Sequence, residues 1–271
     1  MRIEVLLSCM DESDEFSYRK RSNVTTDLLI INQCGTNGYK ERVSGGRKTR
    51  VFCSDQRGLS KSRNYALNQA YGDICLICDD DVRYVDNYDD IVSSAFRALP
   101  RADVIVFQTE MVNTTQTRKN VKRVRKAPWF KSYGSVRIAF RLSSVQNAGV
   151  CFNSHFGSGS TYSAAEDSLW LRDIRRKGLS VYECPTTIAV VDYSQSTWFK
   201  GYDAKFFYDK GAFVAAAYPA MSRFLKFYFV YRFFRCTDMS CIEMVRWLNR
   251  GIAGYGRLLS YEEFCRKSKC L

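Results

Sequence analysis

Short apolar runs alternate with helix-like stretches through the first hundred residues, and that alternation leaves few architectures open. Ile3 to Leu7, Asp27 to Ile31, Arg50 to Cys53, Ile74 to Cys78 and Val104 to Phe107 read as strands. Between the third and fourth, Ser60 stands where a helix N-cap would, with Leu59, Ala66, Leu67 and Ala70 on one helical face. Val85 to Leu99 repeats the helical pattern and stops at Pro100. This order predicts an α/β fold: a Rossmann-like, doubly wound, mostly parallel sheet with helices on both faces. Further on, Val136 to Leu142 alternates apolar and polar residues as an edge strand would. Ser163 to Gly178 reads as a helix opened by a Ser163/Glu166 capping box and stopped by Gly178, and Val181 to Val191 as a last strand.

A chain of 271 residues with 46% hydrophobic side chains buries a sizeable core, so one large domain with an appendage is expected. No run of about 18 uncharged apolar residues occurs, which argues against a spanning helix. The N-terminus reads as a first strand rather than a signal peptide. The 11 cysteines are odd in number and scattered, unlike a secreted disulfide framework, and point to a reducing cytosol. Cys75 and Cys78 have CxxC spacing, but residues three apart on a strand face opposite ways. With a single histidine and no second CxxC they are expected to be core thiols, not zinc ligands.

The formal net charge of +13 favours polyanionic partners: nucleic acid, an acidic membrane face or phosphorylated substrates. Part of that charge lies in Thr114 to Ser132, which holds Arg118, Lys119, Lys122, Arg123, Arg125, Lys126 and Lys131. It reads equally as a solvated loop or as a lid that touches substrate. From 221 to 271 the composition shifts to a basic, aromatic, helical extension, in which Arg223, Lys226, Arg232 and Arg235 interleave with Phe224, Phe227, Tyr228, Tyr231 and Phe233. Interfacial helices have this make-up, and so does a tail that packs back on its domain. Residues 1–220 then form the catalytic domain.

The chemistry is concentrated at Asp79-Asp80-Asp81, which ends the apolar run Ile74 to Cys78. Three adjacent carboxylates resist ionisation unless a cation sits among them. A hard divalent ion, with water and substrate phosphates completing its shell, resolves that conflict. Strand C-termini are also where open α/β sheets bind ligands.

Three stretches occur in order: Gly58-Leu59-Ser60-Lys61-Ser62-Arg63-Asn64, the strand into Asp79-Asp80-Asp81-Val82, and Ala165-Glu166-Asp167-Ser168-Leu169-Trp170. Together they resemble the inverting nucleotide-sugar glycosyltransferases of family 2, of the bacterial polysaccharide type, over roughly residues 1 to 210. The resemblance implies a GT-A fold and transfer from a nucleotide-diphosphate donor, a UDP-sugar, to a hydroxyl of a glycan or lipid-linked glycan. It implies Mn²⁺ or Mg²⁺ held by Asp81 and Asp79, with Asp80 against the ribose. Asp167 would be the base, its place at a helix N-terminus keeping its pKa low, and Glu166 would bind the acceptor. Lys61 and Arg63 would supply charge where phosphate or base binds. Ser8 and Asn32 stand at donor positions where the family usually has other residues; the Asn32 side-chain oxygen can still accept from uracil. Where many relatives place a histidine metal ligand, Asp192 stands here, and the only histidine, His155, lies in a loop before the Glu166-Asp167 pair as an acceptor contact. Together with the scattered cysteines and the basic aromatic tail, the resemblance suggests a cytoplasmic protein with peripheral contact to anionic membrane and no nucleic acid. A nucleotidyltransferase, an aspartate-nucleophile phosphatase and a non-catalytic nucleic-acid-binding protein remain open as alternatives.

Overall fold

The computed structural model describes residues 1–115, 118, 120–194 and 201–269. Its elements begin with β1 (Ile3–Met10), α1 (Tyr18–Arg21), β2 (Asp27–Gln33), β3 (Gly38–Ser44), β4 (Arg47–Ser54) and α2 (Leu59–Gln69). Next come β5 (Ile74–Asp79), β6 (Val82–Tyr84), α3 (Tyr88–Ala98), β7 (Val104–Val112), β8 (Arg125–Lys126), β9 (Ile138–Arg141) and α4 (Leu142–Asn147). The chain continues through α5 (Glu166–Arg176), β10 (Val181–Asp192), α6 (Ala204–Ala217), α7 (Ser222–Phe233), α8 (Cys241–Tyr255) and α9 (Tyr261–Lys269).

The strands form one sheet in the order β3-β4-β2-β1-β5-β9-β7-β10-β6, with β8 paired to β10. β4, β2, β1, β5, β7 and β10 run the same way, while β3, β9, β6 and β8 oppose them. Side chains alternate across the sheet. Val5, Leu7, Leu28, Ile30, Leu76 and Cys78 meet α1 and α3 on one face through Tyr18, Val92 and Phe96. Leu6, Leu29, Ile31, Cys75 and Ile77 meet α2, α4 and α5 on the other through Leu67, Val145 and Trp170. The expected doubly wound arrangement is therefore present. Cys75 and Cys78 lie in opposite cores, and every described cysteine is a free thiol.

Two expectations need correction, and the strand β3 was not expected. The segment taken for an edge strand is β9, which lies inside the sheet, hydrogen-bonded to both β5 and β7. Its polar positions are arginines that bond inward: Arg137 donates to the Phe107 carbonyl and the Gln108 amide oxygen, and Arg141 to the Ala102 carbonyl. The capping box at Ser163 does not form. Helix α5 starts at Glu166, and the Ser163 N–H donates to Asp209 instead. Gly178, with φ +80, ends that helix as expected. Finally, β3 went unread because all its residues are exposed, so it carries no apolar alternation.

The change of composition at 221 is not a break in packing. α6 and α8 meet backbone to backbone: a Cβ on Gly251 would run into the Tyr208 carbonyl, and one on Gly211 into the Leu248 carbonyl. Helix α7 divides its aromatics. Phe229, Val230 and Phe233 pack against Phe207, Met244 and Leu248, whereas Phe224, Phe227, Tyr228 and Tyr231 are exposed at helical spacing on one face. Tyr255 and Tyr261 lie with Phe156 and Tyr162, on the loop that leads to α5. Among the described residues no helix is long and apolar enough to cross a membrane.

Candidate active site

The carboxyl ends of β1 and β5 lie side by side, with Ser8 opposite Asp79 in the parallel register. Helix α2 starts directly over them. The Ser62 hydroxyl donates to the Ser8 hydroxyl at 2.8 Å, and the Gly58 N–H donates to the Gln33 side chain at 2.7 Å. The loop before α5 locks onto the same helix start. Ser60 donates to the Phe156 carbonyl at 2.6 Å, and Leu59 N–H to the Ser158 carbonyl at 2.9 Å. Gly157, φ +109, lets that loop pass close, since a Cβ there would press on the Ser60 hydroxyl and the Glu166 carboxyl.

Arg63 occupies the point where these elements meet and is only 3% exposed. Its Nη1 donates to Glu166 Oε1 at 3.1 Å and Asp167 Oδ1 at 2.8 Å. Its Nη2 donates to Asp79 Oδ1 at 2.9 Å and the Ser135 hydroxyl at 2.7 Å. One planar guanidinium thus joins the acid at the end of β5 to the acid pair that opens α5. The other oxygen of Asp167 accepts the Ser135 N–H at 2.9 Å. Ala165 adopts a left-handed backbone, φ +90, at the turn into α5. A non-glycine residue there costs about 1–2 kcal/mol, and the turn directs both acids inward.

Two carboxylates sit well above their ordinary range. Asp167 is pushed up to about 7 by burial first and by the Glu166 charge second, against the opposing pull of Arg63. This corrects the expectation of a low pKa: the helix N-terminus is outweighed by desolvation and by a neighbouring acid. Burial also pulls the Arg63 pKa down, but Asp79, Asp167 and Glu166 outweigh it and hold the guanidinium charged. Asp81 is pushed up to about 7 by burial and then by Asp79 and Asp80. Its Oδ1 is buried and has no hydrogen-bond partner.

The structure therefore brings Ser8, Arg63, Asp79, Glu166 and Asp167 together, but Arg63 faces the carboxylates and not outward toward a phosphate. Asp80 is exposed on the same turn as Asp81. Asp192 lies beside Asp81, its N–H donating to the Asp81 carbonyl at 3.1 Å. Its carboxylate already accepts from Asn113 at 2.7 Å and from Ser194 N–H at 2.9 Å. Lys61 is exposed in the first turn of α2, and His155 is half-buried in the loop against that helix. Asn32 stands apart: it is 1% exposed, and its amide is engaged with Glu12 and Glu15 inside the protein. The oxygen expected to read a base already accepts the Glu12 N–H. Ser135 was not anticipated, since Gly134-Ser135-Val136 carries no motif and only the fold brings it to Asp167.

Among the described residues no three His, Cys, Asp or Glu side chains form a ready-made metal cage. Asp81, with one buried oxygen lacking a partner and with Asp79 and Asp80 beside it, nevertheless has the donor chemistry a hard cation takes. Such ions are commonly held by one or two carboxylates plus phosphate and water.

Residues 20–167 match the model of a family described as Glycosyl transferase family 2. No curated protein matches the chain in sequence. Among solved structures the chain is similar to S. aureus TarS 1-349 in complex with UDP-GlcNAc, at 13% identity and TM-score 0.61, covering 95% of this chain and 72% of that one. It is also similar to TarS 1-349 at 12% identity and TM-score 0.60, covering 96% and 93%. The same fragment in complex with UDP gives 14% identity and TM-score 0.57, covering 97% and 77%. At these identities the likeness is one of fold.

Proposed function

The chain belongs to glycosyl transferase family 2 and is a glycosyltransferase, and from that premise we propose inverting transfer of a sugar from a UDP-sugar to a hydroxyl of a glycan or lipid-linked glycan. The observation that carries this reading is the single buried guanidinium of Arg63, bonded at once to Asp79 and to Asp167. It ties the donor end of the sheet to the residue placed for proton removal. The solved complexes of TarS with UDP-GlcNAc and UDP favour uridine in the donor.

In this reading Asp167 accepts the proton of the attacking hydroxyl. Arg63 and the Ser135 N–H each hold one of its oxygens, fixing the carboxylate while leaving further lone pairs for substrate. A pKa of about 7 matches a base working near neutrality. Glu166, held by the same guanidinium, and His155, in the adjoining loop, stand on the acceptor side. Asp81 and Asp79 would hold a divalent ion, Mn²⁺ or Mg²⁺, which when bound neutralises the charge of the departing diphosphate. Asp80 and Lys61, both exposed, would meet the donor's polar groups.

The exposed aromatic face of α7, flanked by Arg223, Arg232 and Arg235, suits the interface of an anionic membrane. That would place the enzyme at a cytoplasmic membrane face, where lipid-linked glycans of surface polysaccharides are extended. Titration calorimetry of UDP with and without Mn²⁺ tests the donor site, with a panel of nucleotide sugars screened for slow hydrolysis. Metal-dependent UDP binding, abolished in Asp81→Ala, is expected. UDP binding that is absent, or indifferent to both metal and variant, would remove the reading.

A further inference from the structure

Beside the candidate site lies a second, strongly charged feature in the segment between β7 and β9. A cavity of about 800 Å³ is lined by Arg118, Lys122, Arg123, Arg125 and Lys131, and among its described lining residues there is no carboxylate. Fully buried Glu183 accepts from Arg125 Nε and Lys131 Nζ, each at 2.6 Å. That ties the segment to the sheet at two points, 125 and 131, and β8 adds backbone pairing to β10. Arg118 is held by the Thr109 hydroxyl at 3.0 Å.

One carboxylate cannot balance five cations. Lys122 and Arg123 are exposed and have no ion pair or side-chain hydrogen bond among the described residues. The surplus is felt beneath the cavity, where buried Arg137 is lowered to about 10, by desolvation first and by the Arg118 charge second. Such a concentration of one sign attracts oxyanions. The volume lies within the range that holds whole ligands, well beyond a single phosphate. The segment then runs from Lys131 past Tyr133, whose ring contacts both Lys131 and Arg137, to Ser135 on Asp167. The segment that lines the cavity therefore leads directly to the residue that holds Asp167.

We propose that this cavity is an acceptor subsite for an anionic glycan, one bearing phosphate or carboxylate groups along its chain. The proposal rests on the glycosyltransferase reading and adds the chemical class of the acceptor. Guanidinium groups suit both oxyanions, since each accepts a paired set of N–H bonds. Anchoring a charged segment here would present a neighbouring hydroxyl to Asp167.

The test uses the full chain and fluorescence anisotropy with labelled dextran phosphate, oligogalacturonate, neutral dextran and a single-stranded oligonucleotide. Lys122→Gln/Arg123→Gln is compared with Arg42→Gln/Arg47→Gln, which removes equal charge from the hairpin at the opposite edge of the sheet. The first variant is expected to weaken one charged glycan about tenfold or more, the second by no more than about twofold, with UDP affinity unaltered in both. The glycan affected tells phosphate from carboxylate. Equal losses in the two variants, or an oligonucleotide bound about tenfold more tightly than either glycan, would overturn the assignment. A protein that binds the glycan through Lys122 and Arg123 but never binds UDP would leave an anion site and overturn its role as acceptor subsite, which separates the two failures.

Discussion

A base with a raised pKa leaves a signature in the pH dependence of turnover. Asp167 is held at about 7 by burial and by Glu166, and only its ionised form removes a proton. About one-tenth of the enzyme is then competent near pH 6 and about nine-tenths near pH 8, so kcat/KM should rise about tenfold between them. An aspartate at its ordinary value near 3.9 would be ionised throughout, and the profile would be flat. The assay is release of UDP from a nucleotide sugar, with water or acceptor as nucleophile, in saturating Mn²⁺ so that Asp81 stays ionised. Because Glu166 and Asp167 share one guanidinium, the midpoint belongs to the pair. Glu166→Gln removes the nearer negative charge and should move the rising limb to lower pH. Asp167→Asn should lower the rate by about 10² to 10⁴ and abolish the limb. A wild-type profile that is level from about pH 5.5 to 8, or an Asp167→Asn enzyme that keeps the same limb, would refute the placement of the base.

Other consequences can be measured without an acceptor. Arg63→Met leaves Asp79, Glu166 and Asp167 without their shared cation, and calorimetry should show a loss of about 3–5 kcal/mol. Arg63→Lys should recover only part, because an ammonium cannot span the same four partners; a loss below about 1 kcal/mol in Arg63→Met would show the hub to be structurally idle. Asp81 titrates near 3.9 unfolded and about 7 folded, so its contribution to stability is complete below about pH 4 and is lost as pH rises through 7. Thermal unfolding without metal should therefore fall less steeply with pH in Asp81→Asn. Near pH 7.5, Mn²⁺ should raise the wild-type midpoint alone, and superposable curves would exclude Asp81 as a ligand. Phe224→Ser/Tyr231→Ser should weaken sedimentation with phosphatidylserine vesicles while leaving the fold intact, whereas unchanged sedimentation would leave that face of α7 without a membrane role.

The parts legible in the sequence were those with local causes. Buried parallel strands announce themselves as apolar runs, which is why β1, β2, β4, β5 and β7 were found, with β1, β2 and β7 read two to five residues too short at their carboxyl ends. The acidic end of β5 and the Glu166-Asp167 pair were visible as residues. Their meeting was not, because it depends on a side chain from α2 reaching about a hundred positions along the chain. Arg63 read as a contact for phosphate or base because the three carboxylates that bury it are distant in sequence. Ser135 carries no signal of its own, and Asn32 looked available because nothing nearby in sequence shows Glu12 and Glu15 closing over it. The low pKa expected for Asp167 came from its helix position, an influence too small to survive desolvation beside another acid.

The glycine contact between α6 and α8 bears on where this enzyme can be cut. With Gly211 against Leu248 and Gly251 against Tyr208, the last fifty residues serve as masonry behind the catalytic wall, and a chain ended at 220 would bare the apolar flank of α6. It would also lose Tyr255 and Tyr261, which stand behind Phe156 and Tyr162. The loop carrying His155, and with it the entrance to α5, would keep Tyr208 and its bonds to α2 but lose that outer support. Truncation should thus blunt turnover even when the nucleotide still docks.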